Sequence, residues 1–166
     1  MQAEGEFALV MENLESALEL SGQPVKRGTM AHEHIIYMML AESAAHLEDS
    51  TALRRYASQL ETLALRDDHR PYLAIAHRAW GIACTLDGEY EDAASRLAQA
   101  LELFGELESP WQLGRTQYEM AQLAVARSDP ERARAHFAAA LAQFETMKAM
   151  PDVERTRAAM EGIGVR

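Results

Sequence analysis

The residues in this 166-residue chain that could hold a metal are its six histidines. A zinc ion needs several nitrogen, sulfur or oxygen ligands that converge on one point. His32 and His34 lie about 200° apart around a helix, so one ion cannot bind both rings. The other histidines are scattered over separate helices and turns: His46, His69, His77 and His136. We therefore expect no metal site and no cofactor.

The paired carboxylates and the single cysteine do not form a recognisable catalytic set. General acid–base catalysis needs carboxyl groups that converge in a pocket, whereas pairs such as Glu12 and Glu15 are typical of solvated helix faces. Cys84 aligns with Ala44 and Ala124 in the repeats described below. We expect a small buried core residue there rather than a nucleophile, and a protein that is not an enzyme.

The composition favours helices and excludes several classes of partner. Alanine occupies 30 positions, whereas valine and isoleucine together occupy 10, a bias that favours helix over sheet. The net charge of −10 opposes binding to nucleic acid or to an anionic membrane. The longest apolar run, 35–41, is too short to span a bilayer, and the acidic N-terminus lacks the basic start and apolar run that are typical of a signal peptide. One cysteine permits no intrachain disulfide, so we expect a cytoplasmic protein.

The chain matches itself when it is displaced by about 40 residues, a period typical of repeat proteins. Leu97, Ala100 and Phe104 then align with Phe137, Ala140 and Phe144. Each unit reads as a helix, a tight turn and a second helix, and one such hairpin cannot bury its apolar face alone. The pattern predicts one all-α domain over 1–166, divided into a partial repeat 1–29, repeats at about 30–69, 70–109 and 110–150, and a capping helix 151–166.

Eight helices and no strand are predicted, and turn signals separate the helices. Ser50 is a candidate cap for the third helix, and Ser109 to Gln112 reads as a capping box with proline at the first helical position. Asp129-Pro130 repeats that logic. A turn at Ser21 to Pro24 is expected to end the first helix. Small residues should lie where helices touch: Ala93, Ala100, Ala133 and Ala140.

These repeats resemble the tetratricopeptide repeat (TPR) family. The best copy carries the resemblance in Trp80, Gly81, Cys84, Gly88, Tyr90, Ala93, Leu97 and Ala100, and the next in Met120, Ala121, Ala124, Pro130, Ala133, Phe137 and Ala140. The resemblance implies a right-handed α-α superhelix whose concave face binds a protein or peptide. Two features depart from the family: the period exceeds the roughly 34 residues usual for it, and His77 and Gln117 replace large apolar residues. The longer period is similar to that of repeats in large bacterial regulators.

The resemblance also implies which residues line the concave groove. Counted along the first helix of each repeat, they are Ile35, Met38, Glu42, Ile75, Arg78, Ile82, Arg115, Tyr118 and Gln122. Arginine and tyrosine are favoured at binding surfaces. Two arginines in one groove of an acidic protein indicate a site for a carboxylate, which predicts an acidic protein or peptide as the partner. The alternative is that Arg78 and Arg115 pair with Glu42, Glu119 or other local acids.

Two functions therefore stay open, and an enzyme ranks third. The first is a non-catalytic scaffold that binds a protein or peptide in the concave face. The second is a ligand- or peptide-sensing domain of a larger bacterial signalling or transcription regulator. The N-terminal helix reads as half of a repeat, whose face of Phe7, Val10, Met11, Leu14 and Leu18 can cover the next hairpin. Leu9 and Leu20 point elsewhere, which predicts a homo-oligomer or a missing upstream domain.

Overall fold

The computed structural model describes residues 2–20 and 30–163, and these form eight α-helices and no strand. The helices are α1 (Gln2–Leu20), α2 (Met30–His46), α3 (Ser50–Arg66), α4 (Arg70–Leu86), α5 (Tyr90–Glu106), α6 (Pro110–Ala126), α7 (Pro130–Thr146) and α8 (Met150–Glu161). Successive helices pack against each other along the chain. The all-α superhelix predicted from the sequence is confirmed. The expected turn at Ser21 to Pro24 lies outside the described residues.

One turn geometry joins all the helices from α2 to α8. Each helix from α2 to α7 has 17 residues, and three residues link it to the next. The third linker residue donates its N–H to a carbonyl five residues earlier, as Ser109 does to Phe104 at 3.1 Å. The middle linker residue has φ between 49° and 79°, at Glu48, Asp68, Gly88, Glu108, Ser128 and Lys148. This left-handed ending is typical of helix C-termini, and it starts the next helices at even spacing: Ser50, Arg70, Tyr90, Pro110, Pro130 and Met150.

The helix caps match the sequence-based predictions at one position and differ from them at two. Asp129 accepts a hydrogen bond from the N–H of Arg132 at 3.1 Å, as predicted. Ser50 is not a cap, because Asp49 occupies that position and accepts from Ala52 N–H at 2.9 Å. The prediction of a capping box at Ser109 is also wrong, because the Ser109 side chain makes no capping hydrogen bond. The backbone N–H that the box requires is already bonded in the turn, and the Gln112 side chain is bonded to α4.

Alternate helices form an inner layer. Beyond contacts between successive helices, α2 packs on α4 and α4 packs on α6, so α2, α4 and α6 lie side by side. We call this the inner layer. Close approach depends on small residues, and the four predicted at helix contacts are fully buried: Ala93, Ala100, Ala133 and Ala140. That prediction is confirmed.

The two polar departures from the TPR pattern are paired across their hairpins. His77 Nδ1 lies 2.9 Å from the Arg96 guanidinium, 19 residues further along the chain. Gln117 Oε1 lies 2.7 Å from His136 Nδ1, again 19 residues away. The two pairs occupy equivalent places in successive hairpins. A polar residue in the first helix is therefore matched by a polar residue in the second, and the buried groups keep their hydrogen bonds.

The N-terminal helix covers one end of the repeat core. Met11, Leu14 and Leu18 pack against the core formed by α2, α3 and α4, and the Phe7 ring stacks on His46 at 4.3 Å. Leu9 is 56% exposed, in agreement with its predicted outward position, whereas the Leu20 side chain lies outside the described part of the chain. The homo-oligomer and the upstream domain remain predictions.

Two helical glycines make a matched pair for testing how tightly the repeats pack. A Cβ at Gly81 would lie 2.5 Å from Leu97 Cγ, whereas a Cβ at Gly105 would meet nothing within 4 Å. Leu97 is fully buried and has no free space. We expect Gly81→Ala to lower the free energy of unfolding by about 1–3 kcal/mol and Gly105→Ala to raise it by about 0.4–1 kcal/mol. Urea unfolding measures both; shifts of the same sign would contradict the packing described.

Candidate functional site

Three of the nine groove residues predicted from the sequence meet across the inner layer. Glu42 on α2 accepts a hydrogen bond from Arg115 Nη1 on α6, at 2.6 Å and across 73 residues of sequence. The same carboxylate oxygen lies 3.7 Å from Arg78 Nη2 on α4. The expected alternative, that these arginines pair with a local acid, therefore holds for Glu42. One carboxylate thus connects all three helices of the inner layer.

Arg78 is a buried charge with an incomplete set of partners. Its side chain is 3% exposed, and its Nη1 donates to Gln112 Oε1 at 2.6 Å. Its guanidinium carbon lies 5.3 Å from the centre of the Phe104 ring. Among the described residues, Nη2 has no hydrogen-bond partner. Burial, followed by the charge of Arg115, lowers the pKa of Arg78 to about 9, so the group remains protonated at neutral pH.

A third arginine, which the sequence analysis did not include, joins this surface from α8. The guanidinium carbon of Arg155 lies 4.3 Å from the centre of the Tyr118 ring, and Nη2 is 3.4 Å from Asp152. Its buried Nε makes no hydrogen bond within the described part of the protein. The signal was present in the repeats, because Arg155 follows Arg115 by one repeat period. We call Arg78, Arg115 and Arg155 the arginine cluster.

The cluster concentrates three positive charges on one surface of an acidic protein. Glu42 is already paired with Arg115. Burial raises the pKa of Glu119, although all three cluster arginines oppose that shift. Burial and then the charges of Arg155 and Arg115 lower the pKa of His46. Three guanidinium groups thus lie beside three carboxylates, Glu42, Glu119 and Asp152, whereas the chain as a whole carries a net charge of −10.

The other predicted groove residues differ in their exposure. Ile75 is buried in the core between α3, α4 and α5, and the Tyr118 ring is buried against Phe137 with centroids 5.2 Å apart. Gln122 donates to the Tyr118 hydroxyl at 3.0 Å. Ile35 is 39% exposed. Met38 and Ile82 are half-buried. Ile75 and Tyr118 therefore support the surface more than they form it, and the binding role of all nine stays a prediction.

The remaining chemical candidates do not converge into a site. No group of three potential metal ligands occurs in the part of the chain that the structure describes. Cys84 is buried, as predicted, and burial raises the pKa of its thiol. Within residues 2–20 and 30–163, no helix is both long and apolar enough to cross a membrane.

Comparison with known proteins gives one partial similarity. No family model matches the chain, and no solved structure matches it. The chain is similar to the photosystem I assembly protein Ycf3 of Parasynechococcus marenigrum (strain WH8102), with 28% identity over 102 residues. The matched segment covers 61% of this chain and 56% of that protein, so the chain spans little more than half of the relative's length. This similarity and the all-helical repeats both fit a TPR-type protein.

The buried charge of Arg78 predicts a pH-dependent stability. We expect Arg78→Met, which replaces the charge with an apolar side chain, to raise the free energy of unfolding at pH 7 by about 1–2 kcal/mol. The pKa of Arg78 is lower in the folded protein. The unfolded chain therefore binds more protons above pH 9, and the wild type regains stability as the pH rises.

The advantage of the variant over the wild type should accordingly shrink as the pH rises above neutral. Urea unfolding of both proteins at pH 7, 9 and 10 measures this difference. A variant that is less stable than the wild type at every pH would show that the Arg78 charge contributes net stability to the fold.

Proposed function

We propose that this protein is a non-catalytic scaffold that binds a protein or peptide on the inner layer of its helical-repeat superhelix. The single observation that carries the proposal is the arginine cluster: Arg78 and Arg115 share one carboxylate, and two of its guanidinium nitrogens have no hydrogen-bond partner among the described residues. An acidic segment of a partner would supply the missing acceptors. The cytoplasm is the proposed location, since one cysteine offers no disulfide.

The energetic cost of Arg78 supports this proposal. A buried arginine with an unpaired nitrogen loses hydration without full compensation. Sites that bind other molecules commonly retain groups that reduce the stability of the free protein. The arginine fork also suits carboxylates, since it can donate two parallel hydrogen bonds to one group.

The similarity to Ycf3 supports a role in bringing proteins together. That relative is named as a photosystem I assembly protein, and a role in assembly fits a chain that makes contacts with other proteins. The partner of the present chain is proposed only by chemistry: a protein or peptide with an acidic segment. Nucleic acid is a poor candidate, because the net charge of −10 repels phosphates and the cluster has only three arginines.

Site-specific photo-cross-linking in the natural host tests where the partner binds. Gln122 on α6 was predicted to line the groove, and Gln99 on α5 is an exposed residue of the same type outside the inner layer. A photo-reactive phenylalanine analogue at position 122 should capture a discrete partner, and the same group at position 99 should not. Capture from position 99 alone would place the interaction on another surface.

Arg115 and Arg127 give a matched test of the proposed contact once a partner has been captured. Arg115 pairs with Glu42 in the inner layer, and Arg127 pairs with Glu91 elsewhere at 2.9 Å. We expect Arg115→Ala to weaken the purified complex roughly 10- to 150-fold, the range for one lost hydrogen bond between charged groups. Arg127→Ala removes the same charge and should leave the affinity within about twofold.

Calorimetric titration of the partner measures both affinities, and thermal melts confirm that both variants fold. Equal losses in the two variants would indicate a general charge effect rather than a specific contact.

A further inference from the structure

Glu42 is placed where a ligand carboxylate would bind. Its oxygen lies 2.6 Å from Arg115 Nη1, a normal charged hydrogen bond. The same oxygen lies 3.7 Å from Arg78 Nη2, which exceeds hydrogen-bond distance. Glu42 therefore satisfies one of the two arginines and leaves the other with an electrostatic contact only.

The unsatisfied donors belong to two different helices. Arg78 Nη2 on α4 and Arg155 Nε on α8 are both buried, and neither has a hydrogen-bond partner among the described residues. Glu119 lies close enough for both arginines to lower its pKa, but burial raises that pKa above its ordinary value. These two nitrogens are thus donors available to another carboxylate, because no acid among the described residues is hydrogen-bonded to them.

Glu42 is able to move away from this position. Its side chain is 34% exposed, and its ion pair with Arg115 is partly open to solvent, where such pairs contribute little to stability. A glutamate has three side-chain torsions, so a change of rotamer can carry the carboxylate outward without moving α2. Arg78 is held more firmly by Gln112 and by the Phe104 ring, so the donors would stay in place.

We infer that Glu42 is an internal competitor that occupies the carboxylate site of the arginine cluster, and that an acidic segment of a partner protein binds there by displacing it. Arg155 contributes to this site in addition to Arg78 and Arg115. The inference rests on the proposed function. It adds that the ligand group is a carboxylate, that Arg155 helps to bind it, and that competition by Glu42 lowers the affinity. Only segments with enough carboxylates to replace Glu42 would bind.

Removing the competing charge should then strengthen binding. Glu42→Gln keeps the size of the side chain but removes the charge that draws Arg115 to it. Glu91→Gln is the matched control, because Glu91 pairs with Arg127 outside the inner layer and its loss changes the net charge by the same amount. An increase in affinity that is confined to Glu42→Gln would therefore indicate competition at the arginine cluster. An equal increase in both variants would indicate an effect of net charge.

The probe is a fluorescein-labelled decapeptide of alternating alanine and glutamate, measured by fluorescence anisotropy. We expect Glu42→Gln to bind it roughly tenfold more tightly than the wild type and Glu91→Gln to bind like the wild type. Adding Arg115→Gln or Arg155→Gln to Glu42→Gln should abolish the gain. A version with glutamine in place of glutamate should not bind, and free-acid and amidated forms distinguish a terminal from a side-chain carboxylate.

Circular dichroism melts confirm that each variant is folded before titration. The inference is overturned if Glu42→Gln and Glu91→Gln bind the decapeptide equally, if Glu42→Gln binds it more weakly than the wild type, or if no folded variant binds it. These results differ from failure of the proposed function, which cross-linking at position 122 tests without any assumption about Glu42. If a partner is captured at position 122 but Glu42→Gln does not bind the decapeptide more tightly, the scaffold proposal stands. The inference that Glu42 competes with the ligand is then rejected.

Discussion

The structure depends on one constraint, the left-handed turn that ends each helix from α2 to α7 and joins it to the next through three residues. The turn closes the helix with a hydrogen bond from the third linker residue to a carbonyl five residues earlier. The six linkers share this geometry, and the helices from α2 to α7 all have the same length, so equivalent residues recur at equal intervals along the chain. Side chains far apart in sequence, such as Glu42 and Arg115, are thereby aligned in the inner layer.

Only one of the six left-handed positions is a glycine, Gly88. The other five residues adopt a conformation that costs about 1–2 kcal/mol for an L-amino acid, and packing of the helices on either side offsets that cost. That packing rests on alanines with no exposed surface, such as Ala93 and Ala133. Arg78 is buried within this layer, and its Nη2 has no hydrogen-bond partner in the part of the chain that the structure describes.

The sequence was sufficient to predict the fold because its signals were local and repeated. Helical periodicity, turn residues and the self-match of the chain all indicated the same helices, and the small-residue positions followed from that alignment. The caps were harder: Ser109 has the right residue types around it, but its backbone N–H is already used by the preceding turn. A pattern of residue types does not show which donors are still free.

The site was predictable only in part, for a related reason. Repeat alignment brought Arg78, Arg115 and Glu42 onto one surface, but it assigned Ile75 and Tyr118 to the groove although both are buried. Repeat alignment assigns a residue to a helix face only to within about one position. The direction of the side chain then decides whether that residue reaches the surface. Arg155 was missed because the last helix was treated as a cap, although it continues the repeat.

The central claim is that the arginine cluster binds an acidic partner segment. The most direct test is a nitrogen–proton correlation spectrum of the arginine side chains, recorded while the glutamate-containing decapeptide is added. The account predicts that the Nε signals of Arg78, Arg115 and Arg155 shift together and saturate, while those of Arg54 and Arg127, which pair with acids elsewhere, stay in place. Shifts confined to Arg54 and Arg127, or equal small shifts in every arginine, would contradict it.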